Sequence, residues 1–264
     1  MQNPPAWVRD MLRQISNLIH SGRLRTTAAT PRSKKPAILK NDPSLEIQNF
    51  LEMAISQLGT PQEDFFFIQI GAFDGREGDH LFDLVHRHNW RGILVEPQRQ
   101  AFDTLKQNYS GLANLRFFNV AIGPTDGELT LYTRKNGSVP IASVSKHLLI
   151  KPGHSRSEVI GVQVPCWTFD RLLMEADAPP RIDLLQIDTE GFDFEIIRSI
   201  RFDRVKPAII RYEHALLSEA DRNACIGLLA GHGYRMLLED RDTMAIFDTQ
   251  AHRDLTGYGM DPAA

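Results

Sequence analysis

The sequence predicts an α/β domain with a mostly parallel sheet of about seven strands, helices on both faces and an antiparallel last strand. Short apolar runs at residues 65–70, 90–96 and 115–120 alternate with segments of helical periodicity. Such continuous apolar runs are typical of strands buried on both faces, and their alternation with helices is typical of parallel sheets. Two later apolar runs flank the polar residues 239–243, which predicts a hairpin that closes the sheet with an antiparallel edge.

The other elements follow from the same periodicities. A helical pattern begins after residue 42 and stops at Gly59 and Pro61, two residue types that favour helix ends. Ser218 and Asp221 have the spacing of a capping box at the start of the last helix. The predicted helices cover residues 78–89, 98–109, 168–175, 193–199 and 218–229, and the later strands cover residues 182–188, 208–212, 234–238 and 244–247.

One segment departs from this alternation. Residues 127–133 and 159–164 alternate in polarity as strands do, and the long polar stretch 135–156 between them contains several glycines and prolines. We interpret this segment as a β-hairpin insertion that carries a loop. Long loops within compact domains are often lids or substrate-binding segments, and we expect that role here.

The first 41 residues form a separate region in this interpretation. Residues 6–20 have the apolar spacing of an amphipathic helix, and residues 21–40 have the composition of a flexible linker. The helix is a candidate for docking on the domain or for forming a homodimer, and a transit peptide is a minor alternative. The predicted organisation is a basic helix and linker at 1–41, the α/β domain at 42–250 and a tail at 251–264.

Composition limits the classes of function. The net charge of −3 conceals a basic arm, because residues 1–40 hold eight of the 30 basic residues and only one of the 33 acidic ones. The rest of the chain has a net charge of −10, which disfavours nucleic acid as the main substrate. No apolar run has the length of a membrane span. The two cysteines are far apart and fit a cytoplasmic protein with reduced thiols.

The first strand runs into a glycine turn, Gly71 to Gly75, before a predicted helix. This turn lacks the G-x-G-x-x-G pattern of dinucleotide sites and the Gly-Lys-Ser/Thr of a P-loop. Glu96 ends the second strand, where a carboxylate can accept hydrogen bonds from both ribose hydroxyls. Together they indicate an adenosine-containing ligand. S-adenosylmethionine fits best, because it has no pyrophosphate to hold and its positive sulfonium suits an acidic site.

Polar residues also follow the later strands, at the same edge of the sheet. Asp188 and Glu190 come after the strand at 182–188, where either carboxylate can hold an ammonium group or take a proton. Glu213 and His214 follow the next strand, and histidine is suited to general base catalysis near neutral pH. These four residues could also surround a divalent metal, but their spacing matches no known metal motif, and we expect none. Asn119, after the third strand, could bond a ligand or only the backbone.

The motifs together resemble the FkbM-type family of S-adenosylmethionine-dependent methyltransferases over about residues 64–248. The resemblance implies a Rossmann-like class I methyltransferase fold and methyl transfer to a hydroxyl of a sugar, polyketide or related natural product. Phe73 departs from the family, which usually has asparagine there. The motifs are Gln69-Ile70-Gly71-Ala72-Phe73-Asp74-Gly75, Val95-Glu96-Pro97, Asn119-Val120-Ala121, Ile187-Asp188-Thr189-Glu190-Gly191, Tyr212-Glu213-His214 and Asp242-Thr243.

The candidate site residues follow from their positions after the strands and, for the cofactor contacts, also from the resemblance. For catalysis, the candidates are His214, Asp188 and Glu190. Two alternatives stay open at this point: a nicotinamide-dependent oxidoreductase, and a non-catalytic binding or assembly module with the same fold. The residues expected to bind the cofactor are Gly71, Ala72, Asp74, Gly75, Glu96, Pro97, Asn119, Ala121 and Asp188.

Overall fold

The computed structural model describes residues 24–26, 39–41, 51–52, 54–56, 58–134, 142–145 and 159–247. The strands are β1 (Leu24–Thr26), β2 (Leu39–Asn41), β3 (Phe66–Ile70), β4 (Arg91–Val95), β5 (Leu115–Phe118), β6 (Ala121–Ile122), β7 (Gly127–Arg134), β8 (Val159–Trp167), β9 (Leu184–Ile187), β10 (Ile209–Glu213), β11 (Tyr234–Leu238) and β12 (Asp242–Phe247). The helices are α1 (Phe82–His88), α2 (Arg99–Asn108), α3 (Phe169–Glu175), α4 (Asp193–Ser199) and α5 (Glu219–Gly231).

The main sheet has the strand order β1-β2-β11-β12-β10-β9-β3-β4-β5. Strands β10, β9, β3, β4 and β5 are all parallel, and β12 is antiparallel to both of its neighbours. The predicted fold class is confirmed, with seven of these strands in the segment 66–247. The sheet also places β3 between β4 and β9, where the strand order reverses, and ligands of open α/β sheets bind at such a point.

The predicted position of the last strand is wrong. It lies between β10 and β11 instead of at the sheet edge. Met244 and Ile246 belong to the hydrophobic cluster on one face of the sheet, and Ala245 belongs to the cluster on the other. A strand whose side chains pack on both faces of the sheet buries more apolar surface between two strands than at the sheet edge. The short turn after β11 allows it to fold back into that position.

Five residues of the predicted linker at 21–40 belong to strands. β1 and β2 lie within residues 21–41 and pair with each other, and β2 also pairs in parallel with β11 through Leu237 and Leu39. The physical reason is the open edge of β11, whose unpaired backbone groups are satisfied by an added strand. The predicted amphipathic helix at 6–20 and the tail at 251–264 lie outside the described residues.

Each face of the sheet packs against its own helices. Helices α3, α4 and α5 cover one face, and their apolar residues join Ile68, Ile187 and Ile210 in the first hydrophobic cluster. Helices α1 and α2 cover the other face together with Leu51 and its neighbours. Among the described residues, no helix has the length and apolar character needed to cross a bilayer.

A second, smaller sheet with the order β6-β8-β7 stands beside the main one. β7 and β8 are antiparallel over eight residue pairs, which confirms the predicted hairpin insertion. The short strand β6 follows β5 directly and pairs in parallel with β8, so it joins the hairpin to the main sheet. The hairpin therefore stands over the carboxyl ends of β4 and β5.

The core also holds a group of buried charges. Arg211 is 1% exposed and donates from Nη2 to Oε2 of Glu239 at 2.9 Å and to Oδ2 of Asp242 at 2.7 Å. Its Nη1 reaches Oε1 of Gln186 on the adjacent strand at 3.4 Å. One cation thus compensates two carboxylates in a region with little access to water. Such a group depends on all its members, because removing one leaves an uncompensated buried charge.

We expect Arg211→Met to lower the free energy of unfolding by about 3–5 kcal/mol, because Glu239 and Asp242 would stay buried without their cation. Urea denaturation at neutral pH, followed by circular dichroism, measures this loss. Arg198→Met is the matched control, since Arg198 pairs with Glu195 at the surface. It should cost about 0–1 kcal/mol. A loss of the same small size for Arg211→Met would contradict the importance of the buried group.

Candidate active site

A cavity of about 270 Å³ lies at the carboxyl ends of β3, β4 and β9. The turn after β3 forms one side, the loops after β4 and β5 form a second, and the loop after β9 forms a third. The hairpin insertion covers it. Its walls are formed by Ile70, Gly71, Phe73, Glu77, Glu96, Pro97, Gln98, Val120, Ala121, Ile122, Leu129, Leu131, Ala142, Val144, Asp188, Thr189, Glu190 and Phe192.

Gly71 brings two of these walls together. Its φ of +79° lies in the left-handed region, and a Cβ added there would collide with the backbone carbonyl oxygen of Asp188. Only glycine allows the turn after β3 to approach the end of β9 so closely. The N–H groups of Gly71 and Ala72 both donate to the carbonyl oxygen of Val95, at 2.9 and 3.0 Å. The same turn is therefore also fixed to the end of β4.

The next predicted ligands shape the turn and do not line the cavity. Gly75 has a φ of +70°, and a Cβ there would collide with Leu105 and Tyr109 at the end of α2. Oδ1 of Asp74 accepts hydrogen bonds from the N–H groups of the residues two and three positions later, both at 2.9 Å. Ala72 is buried below the turn. These three residues determine the path of the backbone around the cavity.

Glu96 is the most enclosed carboxylate of the cavity wall, with only 3% of its surface exposed. Its Oε2 accepts the N–H of Phe73 at 2.9 Å, and its Oε1 accepts the N–H of Gln98 at 2.8 Å. Burial raises the pKa of Glu96 to about 7, although these two hydrogen bonds favour the charged form. The side chain of Gln98 also bonds to this carboxylate, which lowers its pKa slightly. An ionised carboxylate has about four acceptor sites, so Glu96 keeps acceptor capacity for a ligand hydroxyl.

Asn119 supports this wall from behind. Its Nδ2 donates to the carbonyl oxygens of Glu96, at 2.8 Å, and Pro97, at 3.0 Å. Asn119 does not line the cavity, whereas Pro97 and Ala121 on either side of this link do. The amide nitrogen therefore joins the loops after β4 and β5 through backbone partners.

Asp188 and Glu190 line the cavity, as the positions after β9 indicate. The side chain of Asp188 is exposed towards the cleft. The pKa of Asp188 is raised to about 6, mainly because the surrounding protein desolvates the carboxylate. The negative charges of Glu213 and Asp242 raise this pKa further. Asp188 is therefore mostly ionised at neutral pH and can still take up a proton.

Asp193 is a site residue that sequence reasoning missed. It is fully buried, and its Oδ2 accepts the hydroxyl of Thr189 at 2.9 Å and the N–H of Thr189 at 3.3 Å. Its Oδ1 accepts the N–H of Glu213 at 3.1 Å. Desolvation raises the pKa of Asp193 well above its usual value. In the sequence, Asp193 is only an acidic residue at the start of a helix. That feature is too common to indicate that Asp193 links β10 to the loop that follows β9.

His214 lies outside the cavity wall. It is 7% exposed, and its Nδ1 is 3.1 Å from the hydroxyl of Thr243. The backbone N–H of His214 donates to the carbonyl oxygen of Arg241 at 2.9 Å. Burial lowers the pKa of His214, and the positive charge of Arg222 adds to this effect. The structure therefore places this ring between β10 and β12, while its neighbour Glu213 pairs with the guanidinium of Arg241.

Part of the predicted lid contributes to the cavity. Residues 142–145 are described, and Ala142 and Val144 line the wall beneath the hairpin. Ser143 exchanges two backbone hydrogen bonds with Tyr132 of β7, at 2.9 and 3.0 Å. Its hydroxyl donates to the carbonyl oxygen of Glu190 at 2.8 Å. This segment thus joins the hairpin to the loop after β9, and the other residues of 135–156 lie outside the described part of the chain.

The cavity is negative in charge and partly apolar. Four carboxylates line it, from Glu77, Glu96, Asp188 and Glu190, and the lining residues include no lysine, arginine or histidine. The side towards the hairpin is aliphatic. Such a cavity suits an organic cation with an apolar part. In the described part of the chain, no group of three or more histidine, cysteine, aspartate or glutamate side chains has the geometry to hold a metal ion.

Comparison with solved structures finds several methyltransferases. A methyltransferase FkbM from Methylobacillus flagellatus is 12% identical, with a TM-score of 0.42, over 91% of this chain and 60% of that one. A precorrin-6y C5,15-methyltransferase from Geobacter metallireducens is 15% identical, with a TM-score of 0.37, over 75% and 77%. These values are too low to carry an argument about activity. Comparison with curated protein sequences gives no significant match.

A comparison with protein-family models is decisive. The model of the methyltransferase FkbM domain matches residues 69–238, which is more than half of the chain. The match begins in β3, before the glycine turn, and ends with β11, so it includes Glu96, Asp188 and Glu190. The chain belongs to the FkbM methyltransferase family.

Proposed function

We propose that the protein is an S-adenosylmethionine-dependent methyltransferase that methylates a hydroxyl group of a sugar, polyketide or related natural product. The observation that carries this proposal is the cavity between the turn after β3 and the loop after β9. It combines a buried carboxylate at the end of β4 with aliphatic walls and an excess of negative charge. Family membership supports methyl transfer, and no observation favours a nicotinamide cofactor.

The residues of the cavity fit this cofactor. Glu96 has acceptor capacity left for the ribose hydroxyls, and Pro97 and Ala121 offer apolar surface to the adenine. The backbone at Gly71 and the carboxylate of Asp188 lie on the side available to the methionyl group. When bound, S-adenosylmethionine supplies a methyl group on a positively charged sulfur. The four carboxylates of the wall attract this charge.

We assign proton removal to Asp188. Its carboxylate faces the cleft and is ionised at neutral pH, since its pKa is raised only to about 6. In the transfer, the acceptor oxygen would gain the methyl group, the methyl–sulfur bond would break to leave the neutral thioether S-adenosylhomocysteine, and the hydroxyl proton would pass to Asp188. Glu190 is placed to orient the acceptor from the same loop. His214 acts as a positioning residue in this proposal, because its ring is engaged with Thr243 and does not line the cavity.

The compartment and the partners follow from other features. Cys166 and Cys225 are both free and buried, which supports a reducing compartment such as the cytoplasm. The predicted partner is a small molecule or glycan with a hydroxyl group. Dimer formation through the helix at 6–20 stays a prediction, because that segment lies outside the described residues.

We expect binding of S-adenosylmethionine to depend on the charge of Glu96. Because the pKa of this carboxyl is raised to about 7, its ionised fraction falls as the pH drops below 7. A protonated carboxyl loses acceptor capacity for the ribose. The Kd should therefore weaken by up to about tenfold per pH unit below 7. Titration calorimetry between pH 5.5 and 8.5 measures this dependence.

Two variants control the experiment. Glu96→Gln should bind weakly at every pH and show no step near pH 7. Asp188→Asn should keep the step, because Glu96 is intact. A wild-type protein that does not bind S-adenosylmethionine would refute the proposed function and leave the non-catalytic module as the better explanation. A step that survives in Glu96→Gln would refute the role of Glu96.

We expect Asp188→Asn to lower kcat about 10²–10⁴-fold, because the amide cannot take the hydroxyl proton. Incubation with trideuteromethyl-labelled cofactor and pooled hydroxyl-bearing natural products first identifies the acceptor by mass spectrometry. In the wild type, kcat should then rise with pH with a midpoint at or below about 6, because a bound cation lowers the raised pKa of Asp188, and this rise should be absent in Asp188→Asn.

Variants of the other candidates separate the roles. Glu190→Gln should change the KM of the acceptor more than kcat. His214→Gln should retain the rise of kcat with pH that ionisation of Asp188 causes. If His214→Gln removes that rise and Asp188→Asn keeps most of the turnover, the histidine is the base. A label attached to nitrogen or carbon would refute transfer to oxygen.

A further inference from the structure

Phe73 has a backbone conformation that a phenylalanine rarely adopts. Its φ is +50°, in the left-handed region, where a side chain with a Cβ meets the following carbonyl oxygen. Asparagine tolerates this region much better, and Asn89 at the end of α1 has nearly the same φ of +51°. The chain therefore keeps a bulky side chain at a position where glycine or asparagine would be less strained.

The ring does not serve the hydrophobic core. Phe73 is only half-buried, and none of the three hydrophobic clusters formed by the described residues includes it. It also forms none of the aromatic ring pairs found in that part of the chain. By contrast, Phe82 packs in the cluster under α1 and contacts the rings of His86 and Tyr109, at centroid distances of 4.1 and 5.4 Å. Core packing therefore does not explain Phe73.

Its surroundings point to a ligand instead. Phe73 belongs to the cavity wall, together with Glu77 and Glu96. Its N–H donates to Oε2 of Glu96 at 2.9 Å, so the strained residue is attached directly to the carboxylate proposed to hold the ribose. Strained backbone that is fixed by the surrounding structure is often found at ligand sites, where a side chain is held in a position that binding needs.

We propose that Phe73 is a cofactor-contacting residue whose ring packs against the nucleoside half of the bound cofactor. This inference rests on the proposed function and adds a residue that the sequence motif did not assign. The ring adds apolar surface to the part of the cavity wall that also holds Glu77 and Glu96. A flat apolar ring suits the sugar and base, which are the least charged part of S-adenosylmethionine.

Two variants separate strain from contact. Phe73→Asn removes the ring and relieves the strain, so it should raise Tm by about 2–4 °C and weaken cofactor binding about tenfold. Phe73→Leu keeps the strain and some apolar surface, so its Tm should stay near that of the wild type and its affinity should fall less. Thermal unfolding followed by circular dichroism and titration calorimetry of the full chain measure both quantities.

S-adenosylhomocysteine is the second ligand, because it has the same nucleoside half but no sulfonium charge. Phe73→Asn should weaken both ligands to the same extent. A loss confined to S-adenosylmethionine would overturn the placement of the ring against the nucleoside. Phe82→Leu is the matched control, since it removes a ring from the core, and it should lower Tm without changing either affinity.

The outcomes also distinguish this inference from the proposed function. One outcome overturns only the inference about Phe73. In that outcome the wild type binds S-adenosylmethionine, Glu96→Gln lowers the affinity and Phe73→Asn leaves the affinity unchanged. A lower Tm for Phe73→Asn overturns the assignment of strain. If the wild type binds neither ligand, both proposals fail.

Discussion

The site depends on one close approach, between the backbone of Gly71 and the carbonyl oxygen of Asp188. A Cβ at Gly71 has no room, so the turn after β3 can reach the end of β9 only with glycine. The N–H of Gly71 also bonds to Val95 at the end of β4. One residue therefore holds the ends of three strands in contact. Glu96 and Asp188 line the same cavity because of this constraint, although they are 92 residues apart in the sequence.

Side chains that bond to backbone groups hold the loops around that point. Asn119 joins the loop after β5 to the carbonyl oxygens after β4, and Asp193 joins the loop after β9 to the N–H of Glu213. Buried backbone groups must find partners, and loops without regular pairing obtain them from such side chains. Several polar residues near a ligand site are thus needed for the shape of the protein and not for contact with the ligand.

The sequence predicts the fold well, because strand periodicity and glycine turns are local features. It also predicts that Glu96 and Asp188 lie near each other, because the carboxyl ends of parallel strands share one edge of the sheet. It does not predict the direction of a side chain at that edge: His214 bonds to Thr243, outside the cavity wall. The pairing of β2 with β11 and the position of β12 were also missed, since strand neighbours depend on contacts distant in sequence.

The carboxylates near the site divide into two groups by their partners. Glu239 and Asp242 share Arg211, and Glu213 pairs with Arg241, so these charges are compensated within the protein. Glu96 and Asp188 line a cavity whose wall residues carry no positive charge, and the pKa of each is raised, to about 7 and about 6. A cation that enters the cavity favours their ionised forms, and by linkage their ionisation strengthens binding of the cation. The negative charge of the cavity is therefore unfavourable in the free protein and becomes favourable only with a positively charged ligand in place.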